Sequence, residues 1–459
     1  MQNKIKKFYI IGIGGISLSA LAVILRNKGY EICGSDICEN EMTSKLGEQG
    51  FGIEIGSSSK FVKDSDAIIY TSAASKDNKD ILLAKHLHKP IYSRAFILGQ
   101  ICKENFTLSI SGTHGKTTTT GMIYNIFDKS NVKSTLHIGG ILNNINSNVA
   151  IGKDNVFITE ACEYKDSFLS LQSDISIVLN IKEDHLDYFG NIDNIFHSFQ
   201  KFVQNTKKNG VFLYNFDDFY AKKIKFDKKS ISFGLSNEAD LYATNIKEYK
   251  NGRYSFDVVF NSNKLGKIHL PCFGKHNIYN ALASIAAGLA YGFQFTSIKK
   301  GVEDFKGIKR RFEIINEDKN LIIHDYAHHP DEIIATLNTC KSLGYKKVVL
   351  IFQPHTFSRT KDLYNEFIKS FSYADETWFL PIYPAREKPI KGITSKNISK
   401  DMKKMGYKTK YFSNFEDCKN EIIKNNDEGI LYAILGAGDI VHLADLLRKI
   451  WQNFLIVIK

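Results

Sequence analysis

Short apolar runs alternate with segments of helical spacing along most of this chain. Residues 8–11 are apolar, a glycine-rich turn follows them, and apolar side chains then recur every three or four positions through 17–27. Alternation of strands and helices predicts parallel sheets joined by right-handed crossovers. The same criteria predict an alanine-rich helix at 280–291. They predict further strands at 31–36, 67–70, 90–92, 106–110, 156–159, 175–180, 254–260, 321–324, 347–352, 377–381 and 430–435.

Two changes in this pattern indicate domain boundaries. A new strand-turn-helix unit starts just after Glu104, and a polar, basic stretch at 307–311 suits a linker. A length of 459 residues is typical of about three domains. We therefore predict an α/β protein of three domains, comprising residues 1–104, 105–306 and 307–459.

The composition and charge of the chain favour some classes of protein function over others. With 43% hydrophobic and 24% charged residues, the chain is typical of packed globular domains, and it has no apolar run long enough to insert into a membrane. The net charge of +12 is spread along the chain without an arginine-rich arm or zinc finger, which favours anionic small substrates over nucleic acid. Seven cysteines without a Cys-x-x-Cys pair, and a first strand in place of a signal peptide, favour a reducing, cytoplasmic location.

The clearest chemical signal is a glycine-rich turn between a predicted strand and a predicted helix. Backbone N–H groups and the helix dipole at such a turn bind phosphate, and Lys116 could reach the β- and γ-phosphates while the Thr117 hydroxyl binds Mg²⁺. Ile110 stands where the strict Walker A pattern has a glycine, so this is a shorter variant. The turn comprises Ser111, Gly112, Thr113, His114, Gly115, Lys116, Thr117 and Thr118.

A second glycine-rich turn lies near the N-terminus. Gly12, Gly14 and Gly15 would let the backbone approach a phosphate, and Asp36 stands about where a ribose contact is expected. Ser17 replaces the third glycine of the dinucleotide-binding pattern, so this signal is weak alone. A nicotinamide enzyme and a merely tight turn remain alternatives.

Two acidic stretches follow neighbouring predicted strands. Glu160 and Glu163 come just after one strand, and His185 lies just after the next, within 183–187. The carboxyl ends of parallel strands are where such sheets bind ligands. A carboxylate and an imidazole from these stretches could hold a second divalent cation near the phosphates, although solvated loop charge is the alternative.

Several later motifs are ambiguous from their residues alone. Asn277 and Asn280 could cap the alanine-rich helix or contact adenine, and residues 309–312 could bind phosphate or form a basic linker. The histidine-rich stretch at 324–330 fits no zinc template. Arginines that follow strands, at 359 and 386, suit carboxylate recognition.

Taken in order, from about residue 8 to 445, these motifs resemble the Mur ligase family. The resemblance implies a Rossmann-like N-terminal domain for a UDP-sugar, a central parallel-sheet domain of the P-loop ATPase type, and a Rossmann-like C-terminal domain for an amino acid. The motifs are Gly-Thr-His-Gly-Lys-Thr, Glu-Ala-x-Glu, Asp-His-Leu-Asp, Gly-x-His-Asn-x-x-Asn-Ala, Arg-Arg-Phe-Glu, Asp-Tyr-Ala-His-His-Pro and Tyr-Pro-Ala-Arg-Glu.

The implied reaction is ligation of L-alanine to the lactyl carboxylate of UDP-N-acetylmuramate. It uses ATP and Mg²⁺, passes through an acyl phosphate and serves peptidoglycan precursor synthesis. Under this reading the N-terminal glycine turn binds UDP diphosphate, and no nicotinamide is needed. The alternatives are a recycling ligase that attaches a tripeptide to the same sugar nucleotide and a non-catalytic nucleotide-binding paralogue. The protein is expected to be a monomer or homodimer.

The resemblance also assigns roles to individual residues. The residues implied to act in catalysis are Lys116, Glu160, His185 and Arg311. The implied metal ligands are Thr117, Glu160 and His185. The implied ATP contacts are Gly112, Thr113, His114, Gly115, Lys116, Thr117, Thr118, Asn277, Asn280, Arg311 and Asp325. The implied UDP-sugar contacts are Gly12, Gly14, Gly15, Ser17, Asp36, Ser72 and Arg94. The implied amino-acid contacts are Tyr326, His328, His355, Arg359 and Arg386.

The chain departs from the family pattern at two positions. Thr356 stands where some relatives have an arginine. Gln200, followed by Lys201, stands where other members carry a carbamylated lysine, so no carbamate is predicted.

Overall fold

The computed structural model describes residues 5–457 apart from 72, 73, 76, 251, 386, 426 and 427. The chain divides into two compact units. One comprises Met1–Lys247 with Tyr254–Ile308, and the other comprises Glu248–Arg253 with Lys309–Lys459. Among the described residues, no helix combines the length and the apolar character needed to cross a membrane.

The first unit begins with a five-stranded parallel sheet in the order β3-β2-β1-β4-β5. Its central strand is buried because Phe8 and Ile10 face the packed helices. The strands are β1 (Lys7–Ile11), β2 (Glu31–Asp36), β3 (Gly52–Ile55), β4 (Ala67–Tyr70) and β5 (Ile91–Ser93). The helices are α1 (Ile16–Asn27), α2 (Glu41–Glu48), α3 (Ser59–Asp64), α4 (Lys79–His86) and α5 (Arg94–Glu104).

The same unit contains a ten-stranded sheet in the order β15-β14-β13-β12-β11-β10-β6-β9-β7-β8. Its strands are β6 (Phe106–Ser111), β7 (Thr135–Leu142), β8 (Ser147–Ala150), β9 (Val156–Glu160), β10 (Ile175–Val178), β11 (Val211–Asn215), β12 (Ser230–Gly234), β13 (Leu241–Lys250), β14 (Arg253–Phe260) and β15 (Asn263–Phe273). Its helices are α6 (Lys116–Lys129), α7 (Leu186–Phe189), α8 (Ile192–Gln204), α9 (His276–Tyr291) and α10 (Phe295–Glu303), with 3₁₀ turns at Tyr164–Ser170 and Ala221–Lys223. Strand β6 pairs in parallel with β10 and β9, so the ends of these three strands meet at one edge.

The second unit is built on a six-stranded sheet in the order β16-β17-β21-β18-β19-β20, parallel except for the edge strand β16. The strands are β16 (Glu313–Glu317), β17 (Leu321–Asp325), β18 (Lys347–Phe352), β19 (Glu376–Phe379), β20 (Thr409–Tyr411) and β21 (Ile430–Leu435). The helices are α11 (Pro330–Ser342), α12 (Phe357–Asp362), α13 (Tyr364–Phe371), α14 (Ser395–Lys404), α15 (Phe415–Lys424) and α16 (Val441–Val457).

The predicted strands are all present, with ends that differ by up to two residues. Strand β10 ends two residues earlier than predicted: the Leu179 amide still bonds to Ser111 at the end of β6, but the Asn180 carbonyl accepts from Thr113 in the turn that follows. The alternative that Asn277 or Asn280 caps a helix is wrong. Helix α9 starts at His276 after Lys275, so both asparagines lie inside it and are buried.

The edge of the ten-stranded sheet docks on helix α1 through a chain of hydrogen bonds. Arg94 donates to Ser17 Oγ at 2.8 Å, and Ser17 Oγ lies 2.8 Å from Nε2 of His137 on β7. The His137 Nδ1 atom lies 2.9 Å from the Thr159 hydroxyl on β9. Burial, followed by the nearby Arg94 charge, lowers the pKa of His137 to about 4. The neutral imidazole therefore bridges Ser17 and Thr159, with one ring nitrogen donating and the other accepting.

We expect His137 to make the protein less stable in acid. The unfolded residue titrates near 6.5 and the folded one at about 4, so the unfolded state binds more protons between these values. The free energy of unfolding should therefore decrease as the pH falls through this window, by about 3 kcal/mol at its lower end. Urea denaturation at several pH values measures this slope.

The matched control is His137→Asn, which removes the titration while keeping a polar side chain. The difference between wild type and variant isolates His137 from other histidines. Parallel pH profiles for the two proteins would contradict this account.

Candidate functional site

The predicted phosphate-binding turn connects β6 to α6, and two of its glycines are required by space as well as by conformation. Gly112 has φ +138°, and a Cβ there would lie 2.9 Å from Cβ of Leu179. Gly115 has φ +89°, and a Cβ there would lie 2.4 Å from Oδ1 of Asn280. Any larger residue at either position would displace the neighbouring loop or helix.

The segment that follows β10 holds this turn in place. The Thr113 amide donates to the Asn180 carbonyl at 3.1 Å. The Asn180 side chain bonds both ways with His114, accepting from its amide at 2.9 Å and donating to its carbonyl at 3.0 Å. The Lys182 amide donates to the Thr113 hydroxyl at 2.9 Å. The turn is therefore shaped before any ligand binds, with Lys116 and Thr117 in the first turn of α6.

Lys116 forms a buried ion pair with Glu163. Its Nζ lies 2.9 Å from Oε1 of Glu163, whose side chain is 4% exposed, and it also donates to the carbonyls of Gly112 and Thr113 at 2.5 and 3.1 Å. Burial disfavours the ammonium, but the charge and hydrogen bond of Glu163, together with Cys162 and Glu160, outweigh burial and raise the pKa of Lys116. The lysine therefore stays charged in the position expected for a phosphate ligand.

Glu163 also belongs to a group of possible metal ligands. Ligand atoms of Glu163, Asp184 and His185 all lie within 4.8 Å of one another. The other Glu163 oxygen, Oε2, is buried without a hydrogen-bond partner among the described residues. The ring of Tyr164 packs against His185 at 4.6 Å. Two carboxylates and an imidazole can hold a divalent cation here.

Glu160 is held by a different neighbour. Its Oε1 accepts the Gly139 amide at 2.7 Å, where a Cβ on Gly139 would lie 3.0 Å from Oε2. The structure brings Glu163, rather than Glu160, into the three-residue group with His185. The sequence places Glu163 in the acidic stretch that could supply a carboxylate ligand, whereas the family resemblance names Glu160.

The two asparagines of α9 lie beside the turn. Asn277 donates to the Phe273 carbonyl at 2.6 Å, and Asn280 donates to Asn277 Oδ1 at 2.7 Å. The Thr119 hydroxyl donates to Asn280 Oδ1 at 3.2 Å, which connects α9 to α6. Asn280 thus supports the phosphate-binding turn directly.

The N-terminal glycine turn is organised by Asp36. One Asp36 oxygen accepts the Gly14 amide at 2.9 Å and the other accepts the Ile37 amide at 2.8 Å. The Gly15 amide donates to the Gly12 carbonyl at 3.0 Å, and Gly12 has φ +82°. Asp36 is therefore engaged with the backbone of this turn, close to where Arg94 meets Ser17. Ser72 lies outside the described residues.

In the second unit both arginines of the predicted basic pair lie over the Tyr326 ring, with Arg310 at 4.8 Å. Arg310 donates to the carbonyls of Gly436 and Gly438 at 3.3 and 3.2 Å, which is a structural role. The Arg311 guanidinium lies 5.5 Å from the Tyr326 ring. Burial raises the pKa of Asp325, although the Arg311 charge opposes this rise.

Asp325 and its neighbours shape the end of β17. Its two oxygens accept the amides of Phe312 and Ala327 at 2.6 and 2.8 Å. The His328 Nδ1 atom lies 3.0 Å from the Tyr326 carbonyl, and the two rings contact each other at 5.2 Å. Tyr326 and His328 therefore sit together just after the strand.

His355 and Arg359 follow β18 and complete this group. Nδ1 of His355 lies 3.2 Å from Arg359, while the His355 ring stacks on Tyr383 at 5.5 Å and contacts the His328 ring at 5.8 Å. Burial, followed by the charges of His328 and Arg359, lowers the pKa of His355 to about 4. The neutral imidazole therefore accepts from Arg359, which carries the positive charge.

Two further positions from the sequence analysis, Thr356 and Arg386, fall in this part of the chain. Thr356 has φ +70°, a strained conformation for a β-branched residue. The segment that begins there is anchored by Glu387, which accepts from the Ser358 amide at 2.8 Å and from its hydroxyl at 2.5 Å. Arg386 lies outside the described residues.

Three models of one family match the chain in succession. The Mur ligase family catalytic domain matches residues 7–106, the Mur ligase middle domain matches 110–288, and the Mur ligase glutamate ligase domain matches 310–438.

Curated relatives are similar over nearly the whole chain. The UDP-N-acetylmuramate–L-alanine ligase of Caldicellulosiruptor bescii is 42% identical over 96% of this chain and 98% of its own length. The enzyme of the same name from Acetivibrio thermocellus is 42% identical over 97% and 96%. The crystal structure of UDP-N-acetylmuramate-alanine ligase from Thermotoga maritima is 28% identical, with a TM-score of 0.82 over 97% of this chain and 99% of that one. A murein peptide ligase from Psychrobacter arcticus shares the fold at 22% identity, with a TM-score of 0.71 over 96% and 98%.

We expect Lys116→Met to abolish turnover of ATP. The change keeps the length of the side chain but removes the charge beside the phosphate-binding turn, and loss of one such group costs on the order of 10² to 10³ in rate. Single-turnover phosphate release measures the effect. Binding of a UDP-sugar, measured by calorimetry, should change little because the N-terminal turn is separate. Turnover within about tenfold of wild type would reject the assignment of Lys116.

Proposed function

The chain belongs to the Mur ligase family, and on that premise we propose that it joins L-alanine to the lactyl carboxylate of UDP-N-acetylmuramate while ATP is converted to ADP and phosphate. This proposal rests on the match, over nearly the whole chain and at 42% identity, to curated UDP-N-acetylmuramate–L-alanine ligases. A carbon–nitrogen ligase of this kind serves peptidoglycan precursor synthesis, and hence cell shape and division. We propose a cytoplasmic location, where ATP is supplied.

The reaction needs no enzyme nucleophile. A lactyl carboxylate oxygen attacks the γ-phosphorus of ATP, the bond to the β-phosphate oxygen breaks, and ADP leaves behind an acyl phosphate. The neutral amine of L-alanine then attacks the acyl carbon, loses a proton and expels phosphate to form the amide. The protein therefore contributes positioning and charge stabilisation.

We assign phosphate binding to the turn between β6 and α6, namely residues 112–118. Lys116 supplies a positive charge for the phosphoryl group that is transferred. Its ammonium is held by the loop carbonyls and stays protonated. By family resemblance, Asn277, Asn280, Arg311 and Asp325 are further ATP contacts.

The donor groups near this turn fit a hard divalent cation. The carboxylates of Glu163, with an oxygen buried and unpartnered among the described residues, and of Asp184 suit Mg²⁺, and a ring nitrogen of His185 lies within the same group. By resemblance, Thr117, Glu160 and His185 would hold it. Mg²⁺, when bound, neutralises the phosphate oxygens.

We assign the two remaining substrates to two other groups of residues. The N-terminal turn at Gly12, Gly14 and Gly15, with Ser17, Asp36, Ser72 and Arg94, takes UDP-N-acetylmuramate. Tyr326, His328, His355, Arg359 and Arg386 take L-alanine. Neutral histidines beside Arg359 leave its charge available for a carboxylate. We propose the domain limits 1–104, 105–306 and 307–459 for these three functions.

Phosphate release from ATP is the direct test of this function. We expect release that depends on both UDP-N-acetylmuramate and L-alanine, with weaker responses to glycine and L-serine. A response to L-alanyl-γ-D-glutamyl-diaminopimelate in place of L-alanine would favour a recycling ligase. Absence of release with every amino substrate, despite ATP binding, would favour a non-catalytic paralogue.

We expect Arg359→Lys to raise the KM for L-alanine and to leave the KM for ATP nearly unchanged. A guanidinium fixes both the direction and the charge of a carboxylate, whereas an ammonium fixes charge alone. Loss of one charge-assisted contact costs about 1.5–3 kcal/mol, or about 10- to 150-fold. Steady-state kinetics with each substrate varied in turn measures the effect. A change confined to UDP-N-acetylmuramate would reassign Arg359 to the sugar nucleotide.

A further inference from the structure

The Glu163 carboxylate lies between the charged Lys116 and two other side chains of the kind that bind metal ions, Asp184 and His185. Its Oε1 already pairs with Lys116 at 2.9 Å, while its Oε2 is buried and unpartnered among the described residues. One carboxylate oxygen of Glu163 and one ligand atom each of Asp184 and His185 all lie within 4.8 Å of one another. One carboxylate is therefore shared between the phosphate-binding lysine and a group of possible metal ligands.

Nucleotide binding would disturb this arrangement. The three N–H groups of the Lys116 ammonium donate to Glu163 and to the carbonyls of Gly112 and Thr113. An ammonium has three donors, so none is left for a phosphate oxygen in the structure as it stands. The lysine must release at least one of these partners before it can bind ATP.

Release by Lys116 would leave Glu163 without a counter-charge. The Glu163 side chain is 4% exposed, so solvent cannot replace the lysine. A buried charge that loses its partner is strongly destabilised unless another cation takes the place. Asp184 and His185 have side chains 41% and 35% exposed, so a cation from solvent can reach the group.

We propose that Glu163 is an exchangeable ligand: it neutralises Lys116 in the nucleotide-free enzyme and binds Mg²⁺, together with Asp184 and His185, once ATP occupies Lys116. This inference rests on the proposed function for the assignment of ATP to Lys116. It adds a residue to the site and gives a physical reason for ATP and metal to bind cooperatively. Lys116 and the cation compete for one carboxylate, and the phosphates of ATP relieve that competition.

The competition can be tested without nucleotide. Lys116→Met frees Glu163 permanently, so the variant should bind Mn²⁺, a probe for Mg²⁺, roughly tenfold more tightly than wild type, the effect of one additional charged ligand. Electron paramagnetic resonance of free Mn²⁺ measures the affinity. Pulsed measurements should detect a nitrogen coupling from His185 in Lys116→Met, and His185→Gln in that background should remove it.

The decisive variant is Lys116→Met/Glu163→Gln, which should return the Mn²⁺ affinity to within about threefold of wild type because the freed ligand is gone. Lys116→Met/Glu183→Gln is the matched control. It removes the same charge from the exposed neighbour of Asp184, outside the ligand group, and should keep most of the gain. Near-ultraviolet circular dichroism identifies any variant that has not folded, and Glu163→Asp then replaces Glu163→Gln.

Three results would overturn the proposal. The first is Lys116→Met without a gain in affinity, and the second is a gain that survives Glu163→Gln. The third is a gain removed by Glu160→Gln but not by Glu163→Gln, which would make Glu160 the ligand. The experiment contains no ATP, sugar nucleotide or amino acid. Its outcome is therefore separate from the phosphate-release assay that tests the ligase function.

Discussion

The buried ion pair between Lys116 and Glu163 is the interaction that sets the charges at the turn between β6 and α6. Neither charge could be buried alone, because removing an ion from water without a partner costs several kcal/mol. Strand β6 lies between β9 and β10, so the segments that follow these two strands supply the carboxylate and the Asn180 contacts. The order of strands thereby creates both the charge pair and the rigid turn around it.

One strand connects the N-terminal glycine turn of the first unit with its acidic residues. On β7, His137 bonds to Ser17 beside the N-terminal glycine turn, and two residues later the Gly139 amide binds Glu160. The neutral His137 ring thus connects Ser17, which accepts from Arg94, to Thr159 on β9. A shift of β7 would move both groups together.

In the second unit, burial determines the charge of two histidines beside an arginine. Burial lowers the pKa values of His328 and His355, so these imidazoles remain neutral at physiological pH beside Arg359. The strained backbone of Thr356 lies between His355 and Arg359 in sequence, and Glu387 anchors the segment that follows. Strain of this kind persists where surrounding contacts over-determine the geometry, which is typical of binding sites.

Local sequence was enough to predict twelve of the strands, the glycine-rich turn between β6 and α6 and the family, because apolar periodicity and glycine-rich turns depend on residues near one another in the chain. It also predicted the residues near the turn, since the carboxyl ends of neighbouring parallel strands meet. The tertiary structure alone decided which partners those residues take. Glu160 binds Gly139 while Glu163 binds Lys116, and Arg310 donates to the carbonyls of Gly436 and Gly438. These choices depend on burial and on distances between segments far apart in sequence, and neither quantity can be read from spacing along the chain.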